Sequence, residues 1–212
     1  MSTIFADHIS SDQLHLLHSL DTPVKIQAFL DQIPYSAENA NRCPVSVLRD
    51  EVAHCLDGAL FAAAALRQLG HPPRVIDLLP EPGRDDDHVL AIYMRNGHYG
   101  AIAKSNFVGL RFREPVYRSL RELVMSYFED YFNIEGEKTL RGYTRPLDLQ
   151  TMDRFGWMWQ DSGADAVEKR LKELKVIPIL KAELASNLSP TDHLSYTGGM
   201  LGVNKAGLFK LG

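Results

Sequence analysis

The chain has 212 residues, of which 45% are hydrophobic and 24% are charged. This composition is typical of a globular protein, and it excludes a collagen-like or largely disordered chain. The length fits one domain, or one domain with an appended subdomain. The formal net charge of −4 argues against nucleic acid as the main partner, because domains that bind nucleic acid normally carry an excess of basic residues.

The cysteine content and the apolar runs bear on the compartment. With 2 cysteines in the chain, we expect no disulfide framework, which favours a reducing intracellular compartment. The first residues lack a basic region followed by a long apolar run, so no signal peptide is expected. The longest apolar run, GALFAAAAL at 58–66, is too short to span a bilayer. We therefore predict a cytoplasmic protein with no membrane partner.

Residues 1–44 are interpreted as an N-terminal helical segment. A first short helix is predicted from leucines at helical spacing, namely Leu14, Leu16, Leu17 and Leu20. Thr22 and Pro23 then supply an N-cap and a first helical residue for a second helix, which runs to about Gln32. A polar loop follows, and a brief helical turn is expected at 46–51.

The segment from about Cys55 to Leu69 is predicted to form a central helix. Asp57 suits the positive N-terminal end of a helix, and Gly70 followed by prolines is a typical stop signal. One face of this helix carries small side chains, namely Gly58, Ala59, Ala62 and Ala63. Such a face allows another layer of backbone to approach closely, so we expect the helix to be buried.

A strand at 74–79, an exposed acidic loop and a β-hairpin are predicted next. Asn96-Gly97 between two apolar runs is a strong signal for a hairpin with a two-residue turn. In such a hairpin, paired residue numbers sum to 193, which places His88 opposite Ser105.

The second half of the chain gives fewer signals. Apolar residues at helical spacing predict a helix over 114–132, and 138–149 is expected to be extended. A charged amphipathic helix is predicted at 164–174, within a C-terminal part that we assign to 111–185. The remaining residues, 186–212, are rich in glycine and turn formers and are expected to wrap the surface or stay mobile.

Cys55 and His88 are the candidate catalytic residues. A thiol attacks a carbonyl as its anion, and a helix N-terminus favours negative charge on the sulfur. A neighbouring imidazole takes the thiol proton and later returns it to the leaving group. The sequence places Cys55 at a helix start and His88 at the start of a strand expected to pack beside that helix.

Four pieces of sequence occur in the same order as in a known family: Cys55 at a helix start, the turn Gly70–Arg74, Asp87-His88 at a strand start, and Gly97–Tyr99 at a hairpin turn. Residues 45–106 thereby resemble the core of the transglutaminase-like superfamily of cysteine hydrolases and acyltransferases. The run CLDGALFAAAAL also resembles the arylamine N-acetyltransferases. The resemblance implies an α+β fold with a papain/transglutaminase-like core, a central helix on an antiparallel sheet, and further helices are expected at both ends. It also implies that residues 45–110 form the catalytic core, with Cys55 as nucleophile and His88 as base.

The same resemblance implies a third residue, usually an aspartate, that orients the histidine. The corresponding position here is Ala103, which has no polar side chain. The hairpin register offers Ser105 instead, or Asn106 if a bulge shifts the register by one residue. The acidic run 85–87 is a third option, although such a run is more often solvated.

Two functions of different classes are consistent with these residues. The first is a thiol enzyme that forms an acyl-enzyme on Cys55 from a peptide, amide or other acyl substrate, with hydrolysis preferred and transfer to an amine next. The second is a catalytically inactive relative that serves as a protein-binding module, which Ala103 favours. No cofactor or metal is expected, because the sequence lacks ligand spacings such as Cys-x-x-Cys or His-x-x-x-His.

Overall fold

The structure is a computed structural model that describes residues 7–210. Its helices are α1 Ser11–Ser19, α2 Pro23–Gln32, α3 Pro44–Asp50, α4 Cys55–Gln68, α5 Leu120–Met125, α6 Asp161–Lys172, α7 Ala182–Ala185 and α8 His193–Gly199. Its strands are β1 Arg74–Pro80, β2 His88–Arg95, β3 His98–Ile102, β4 Arg113–Tyr117, β5 Leu140–Thr144, β6 Leu147–Asp148 and β7 Val176–Pro178. Short 3-10 helices occupy Val108–Leu110, Leu149–Phe155 and Lys205–Gly207.

The strands form one antiparallel sheet in the order β4-β3-β2-β1-β5-β7. The short strand β6 pairs with the first two residues of β1, Arg74 and Val75. Helix α4 packs against the middle of this sheet, mainly on β2. The expected α+β class with a central helix on an antiparallel sheet is therefore confirmed. The end residues of the outermost predicted segments, 1–6 and 211–212, lie outside the described residues.

The two faces of the sheet bury separate groups of side chains. Val75, Val89 and Ala91 pack on the α4 side, together with residues of that helix. Ile76 and Leu90, their neighbours in sequence, pack on the opposite face with α5 and the segment that follows it. Because successive residues of a strand point to opposite faces, a residue's number in β1 or β2 decides which core it joins.

Helix α4 begins and ends close to the predicted residues, and its small face has a specific contact. A Cβ atom added to Gly58 would lie 2.2 Å from the Cβ atom of Lys104. Lys104 follows β3, and its buried ammonium donates a hydrogen bond to the Leu30 carbonyl at 2.7 Å, near the end of α2. The glycine therefore lets α4, β3 and α2 meet at one point.

The β2–β3 hairpin follows the predicted register over part of its length. Asn96 and Gly97 have φ angles of 51° and 78°, as a two-residue hairpin turn of this kind requires. The pairing runs from Arg95↔His98 to Ala91↔Ile102 and then stops. The expected pair of His88 with Ser105 does not form, because the chain leaves β2 after Ile102.

The helix predicted over 114–132 was wrong in its first part. Residues Arg113–Tyr117 form β4, which pairs with β3 and becomes the edge of the sheet, and only Leu120–Met125 is helical in this range. Val116 is 62% exposed because it lies on the outer side of this strand. Pairing with an available sheet edge thus overrides the helical spacing of the apolar residues.

The close approach at Gly58 leads to a stability prediction. Gly58→Ala should destabilise the protein by about 1–3 kcal/mol, although alanine is the better helix former, because the added methyl group meets the Lys104 side chain where it leaves the backbone. Gly198→Ala in α8 is the matched control, since its methyl group would enter open space and should be neutral or slightly stabilising. Urea unfolding measures both changes. Equal effects of the two substitutions would contradict the proposed contact.

Candidate functional site

A cavity of about 1190 Å³ opens at the N-terminal end of α4. Its walls come from distant parts of the chain, including Tyr35, Cys55, Asp77, Lys172 and Phe209. This volume slightly exceeds the usual range of about 300–1,000 Å³ for small-molecule pockets. The predicted nucleophile therefore lies in a large cleft.

Cys55 is the first residue of the 14-residue helix α4 and is partly exposed to the cavity. Its thiol donates a weak hydrogen bond to the backbone carbonyl of Asp87, with 3.9 Å between sulfur and oxygen. Desolvation of the sulfur, and then the charge of the Asp87 carboxyl group, raise the pKa of the thiol far above its usual value. The favourable field of the helix N-terminus is thus outweighed, and the group is a thiol at neutral pH.

The carboxyl groups of Asp77 and Asp87 form a pair beside this thiol. Asp77 lies in β1 on the α4 side and is 2% exposed, whereas Asp87 precedes β2 and faces the cavity. Burial and then the Asp87 charge raise the pKa of Asp77, and burial likewise raises the pKa of Asp87. Two desolvated carboxyl groups at close range favour one shared proton over two negative charges. Asp77 Oδ1 has no hydrogen-bond partner among the described residues.

His88 lies on the other face of the sheet. It pairs with Leu78, whose side chain belongs to the core opposite α4. Its Nε2 donates to the Leu110 carbonyl at 2.7 Å, which fixes the tautomer because a carbonyl only accepts. Burial lowers the pKa of His88 to about 4, so the ring is neutral at neutral pH. Among the described residues, no hydrogen bond joins His88 to Cys55. The residues on either side of His88 in sequence, Asp87 and Val89, line the cavity with Cys55 instead.

Ser105 and Asn106 do not orient His88 either. Ser105 Oγ accepts a hydrogen bond from the backbone N–H of Phe107 at 3.0 Å. The Asn106 amide donates to the Asn204 carbonyl at 2.9 Å, and its oxygen accepts from the Asn204 N–H at 2.8 Å. Neither residue therefore forms a hydrogen bond with His88, and Asn106 instead anchors the C-terminal segment.

That segment, residues 204–210, is called the C-terminal strap here. Asn204 donates from its side chain to the Tyr35 carbonyl at 2.9 Å, and Gly207 packs against the Tyr35 ring. Residues 206–210 line the cavity. Sequence reasoning did not find this contribution, since an asparagine between glycines signals only a turn.

The remaining charged groups of the cavity are largely paired with each other. The His54 imidazole, the one imidazole among the described residues on this wall, lies 3.2 Å from the buried carboxylate of Asp57. Lys172 forms an ion pair with Glu168, which also accepts a hydrogen bond from Asn41 at 2.8 Å. His54 is thus held by the first turn of α4.

Two features are absent from residues 7–210. In this range, no group of three or more histidine, cysteine, aspartate or glutamate side chains is arranged to hold a metal ion. None of the helices in the same range is both long and apolar enough to cross a membrane.

Comparison with known proteins gives no assignment. The chain matches no model of a known protein family, and no curated protein sequence matches it. The resemblance to transglutaminase-like enzymes therefore depends on the residues quoted for it alone.

The position of His88 predicts a pH dependence of stability. Its pKa is about 4 in the folded chain against an ordinary 6.5, so the unfolded chain binds the proton more readily between these values. The free energy of unfolding should therefore fall as the pH drops through this window, by roughly 3 kcal/mol in total. His88→Gln keeps a donor for Leu110 and should remove this dependence, whereas His15→Gln at an exposed site of α1 should not. Urea unfolding across this pH range tests both, and an unchanged slope in His88→Gln would contradict the assignment.

The Asn106 contacts predict the behaviour of the C-terminal strap. Asn106→Ala removes its hydrogen bonds to Asn204, so amide exchange in 204–210 should quicken by about tenfold or more, as expected for the loss of one or two buried hydrogen bonds. Asn187→Ala is the control, because that amide bonds only to its own short helix and the adjacent serine. Hydrogen exchange with mass spectrometry reports each segment. Unchanged exchange in the strap would show that Asn106 does not hold it.

Proposed function

We propose that the chain is a binding module whose cavity accepts an extended polar ligand such as a peptide segment. The observation that carries this proposal is the separation of Cys55 and His88 by the sheet. Without an imidazole from β2, the sulfur lacks the base that the thiol–imidazole mechanism requires.

The electrostatics around the sulfur support the same conclusion. A nucleophilic cysteine normally has a depressed pKa and lies in an electropositive environment. Cys55 has the opposite surroundings, since the Asp77 and Asp87 carboxyl groups lie next to it and its pKa is raised. Its thiol therefore behaves as part of the cavity wall.

The shape of the cavity supports a ligand larger than a typical metabolite. The cleft has a volume of about 1190 Å³ and is lined by both polar and apolar side chains. Extended peptides fit such clefts through alternating polar and apolar contacts. The corresponding proposal about ancestry is that the chain retains a transglutaminase-like core, with its helix on a sheet, and lacks the catalytic pair.

A second candidate, thiol acyl transfer, is favoured by the position of Cys55 at the start of α4 and on the cavity wall. In this case the Asp87 carboxylate takes the thiol proton while sulfur bonds to the substrate carbonyl carbon. The proton then passes to the departing amine or alcohol as its bond to carbon breaks. Water releases the acid in a hydrolase, or an amine takes the acyl group in a transferase.

Thiol labelling separates the two candidates, because Asp87→Asn has opposite effects under each. In a binding module, removing this negative charge lowers the pKa of Cys55 and speeds its reaction with iodoacetamide at about pH 7. In a thiol enzyme, the same substitution removes the base and slows that reaction. We expect faster labelling in Asp87→Asn, slow labelling of Cys55 in the wild-type protein, and no change in His88→Gln.

The controls for this experiment are within the chain. Cys43 is buried and reports global opening in each sample. Asp12→Asn, at an exposed position of α1, tests for a general effect of net charge. Rapid wild-type labelling of Cys55 at neutral pH that is slowed by Asp87→Asn or His88→Gln would overturn the binding proposal.

A further inference from the structure

We infer that the cavity recognises a positively charged group, a protonated amine or a guanidinium, seated on the paired carboxyl groups of Asp77 and Asp87. This inference rests on the proposed binding function and specifies the chemistry of the ligand. It is carried by the unmatched negative charge of the pair and by the buried Asp77 oxygen that has no partner.

The carboxyl groups at this end of the cavity have no cationic partner. Within residues 7–210, no lysine, arginine or histidine forms an ion pair with Asp77, Asp86 or Asp87. Several other charged side chains of the cavity have partners, as in Glu38–Arg42, Arg141–Glu81 and Lys172–Glu168, whereas Lys210 of the C-terminal strap lines the cavity without an ion pair to a described residue. The negative charge that remains is therefore concentrated where β1 and β2 meet the start of α4.

Asp77 is the unusual member of this group of carboxyl groups, because it is buried and incompletely hydrogen-bonded. Its side chain is 2% exposed and lines the cavity, yet its Oδ1 accepts no hydrogen bond from any described residue. A buried polar atom without a partner is unfavourable, because it has lost its contacts with water and gained none in return. An N–H donor of a bound cation would supply the missing hydrogen bond and balance the charge at the same time.

A proton shared by the two carboxyl groups competes with such a ligand for the same place. The groups that set this balance are Cys55 and Asp57 on α4, Asp86 beside the pair, and Lys172 and Glu168 on α6. Lys172 is the cation among them, and its own ion pair holds it at Glu168. Binding of an organic cation should therefore release part of a proton from the pair.

The geometry favours an organic cation over a metal ion. The described residues include no set of three or more side chains placed as metal ligands, whereas two carboxyl groups suffice to bind one ammonium or guanidinium group. Two kinds of ligand carry such a cation, namely a free amine and a peptide with a lysine or arginine side chain. Both present positively charged N–H donors to Asp77 and Asp87.

Matched probes test the inference by calorimetry on the full chain. The peptide acetyl-Gly-Lys-Gly-amide carries the cation, and acetyl-Gly-norleucine-Gly-amide keeps the four-carbon stem of the side chain and lacks the ammonium group. Cadaverine and 1,5-pentanediol form the corresponding pair of free molecules. We expect the cationic member of at least one pair to bind about tenfold or more tightly than its neutral partner, as a charge-assisted hydrogen bond predicts.

Substitutions locate the effect. Asp77→Asn and Asp87→Asn should each remove most of the difference between cationic and neutral probes, while the control Asp12→Asn should keep it. Circular dichroism checks the fold of Asp77→Asn, and Asp87→Asn provides the same test at a position open to the cavity. Calorimetry in two buffers with different ionisation enthalpies measures the expected proton release.

Each outcome bears on the inference. A preference for cadaverine supports it and identifies a free amine, and a preference for the lysine peptide supports it and identifies a side chain. Equal affinity of cationic and neutral probes, no binding of any probe, or full affinity in both aspartate variants would overturn it. Failure of the binding function itself is read separately, from rapid Cys55 labelling at neutral pH.

Discussion

The packing of α4 on the sheet is the contact on which the rest of the site depends. Gly58 allows the helix to approach so closely that its first residue, Cys55, lies over the point where β2 begins. At that point strand geometry sends successive side chains to opposite faces. Asp87 therefore shares the cavity with Cys55, and His88 joins the core behind the sheet. A difference of one residue in sequence thus decides between an acidic and a basic neighbour for the sulfur.

This placement determines the charge of the cavity. A carboxyl group that is desolvated and next to another carboxyl group resists ionisation, and a thiol beside the pair resists it as well. Desolvation is the largest cause of the raised pKa of Asp77, Asp87 and Cys55, and repulsion by a neighbouring carboxylate comes next, from Asp87 for Asp77 and Cys55 and from Asp86 for Asp87. Such an arrangement stabilises an incoming positive charge and opposes the development of a negative one. An acyl transfer develops negative charge on the substrate oxygen, so this end of the cavity is better suited to binding a cation than to that chemistry.

The features that the sequence predicted correctly depend on local interactions. The Asn96-Gly97 turn and the limits of α4 follow from backbone preferences within a few residues. The hairpin register failed beyond Ile102 because Gln27, 76 residues away in sequence, bonds both backbone groups of Ala103 and draws the chain towards α2. The face of His88 also depends on how α4 is positioned along β2, which no local pattern specifies. Asn106 illustrates the same limit, since its partner Asn204 lies 98 residues away.

The long sequence separations within the cavity have a thermodynamic consequence. Tyr35, Asp77, Lys172 and Phe209 meet only when both ends of the chain have packed on the central sheet. The cavity is therefore absent from the unfolded chain, and a ligand bound there stabilises the folded state as a whole in proportion to the logarithm of its concentration. The C-terminal strap contributes to this cavity, because residues 206–210 form one of its walls and Asn106 holds them there. Under the proposed binding function, the Asn106 hydrogen bonds order the strap before a ligand arrives. A ligand that contacts the strap would then bind more tightly, and Asn106 would affect its affinity without touching it.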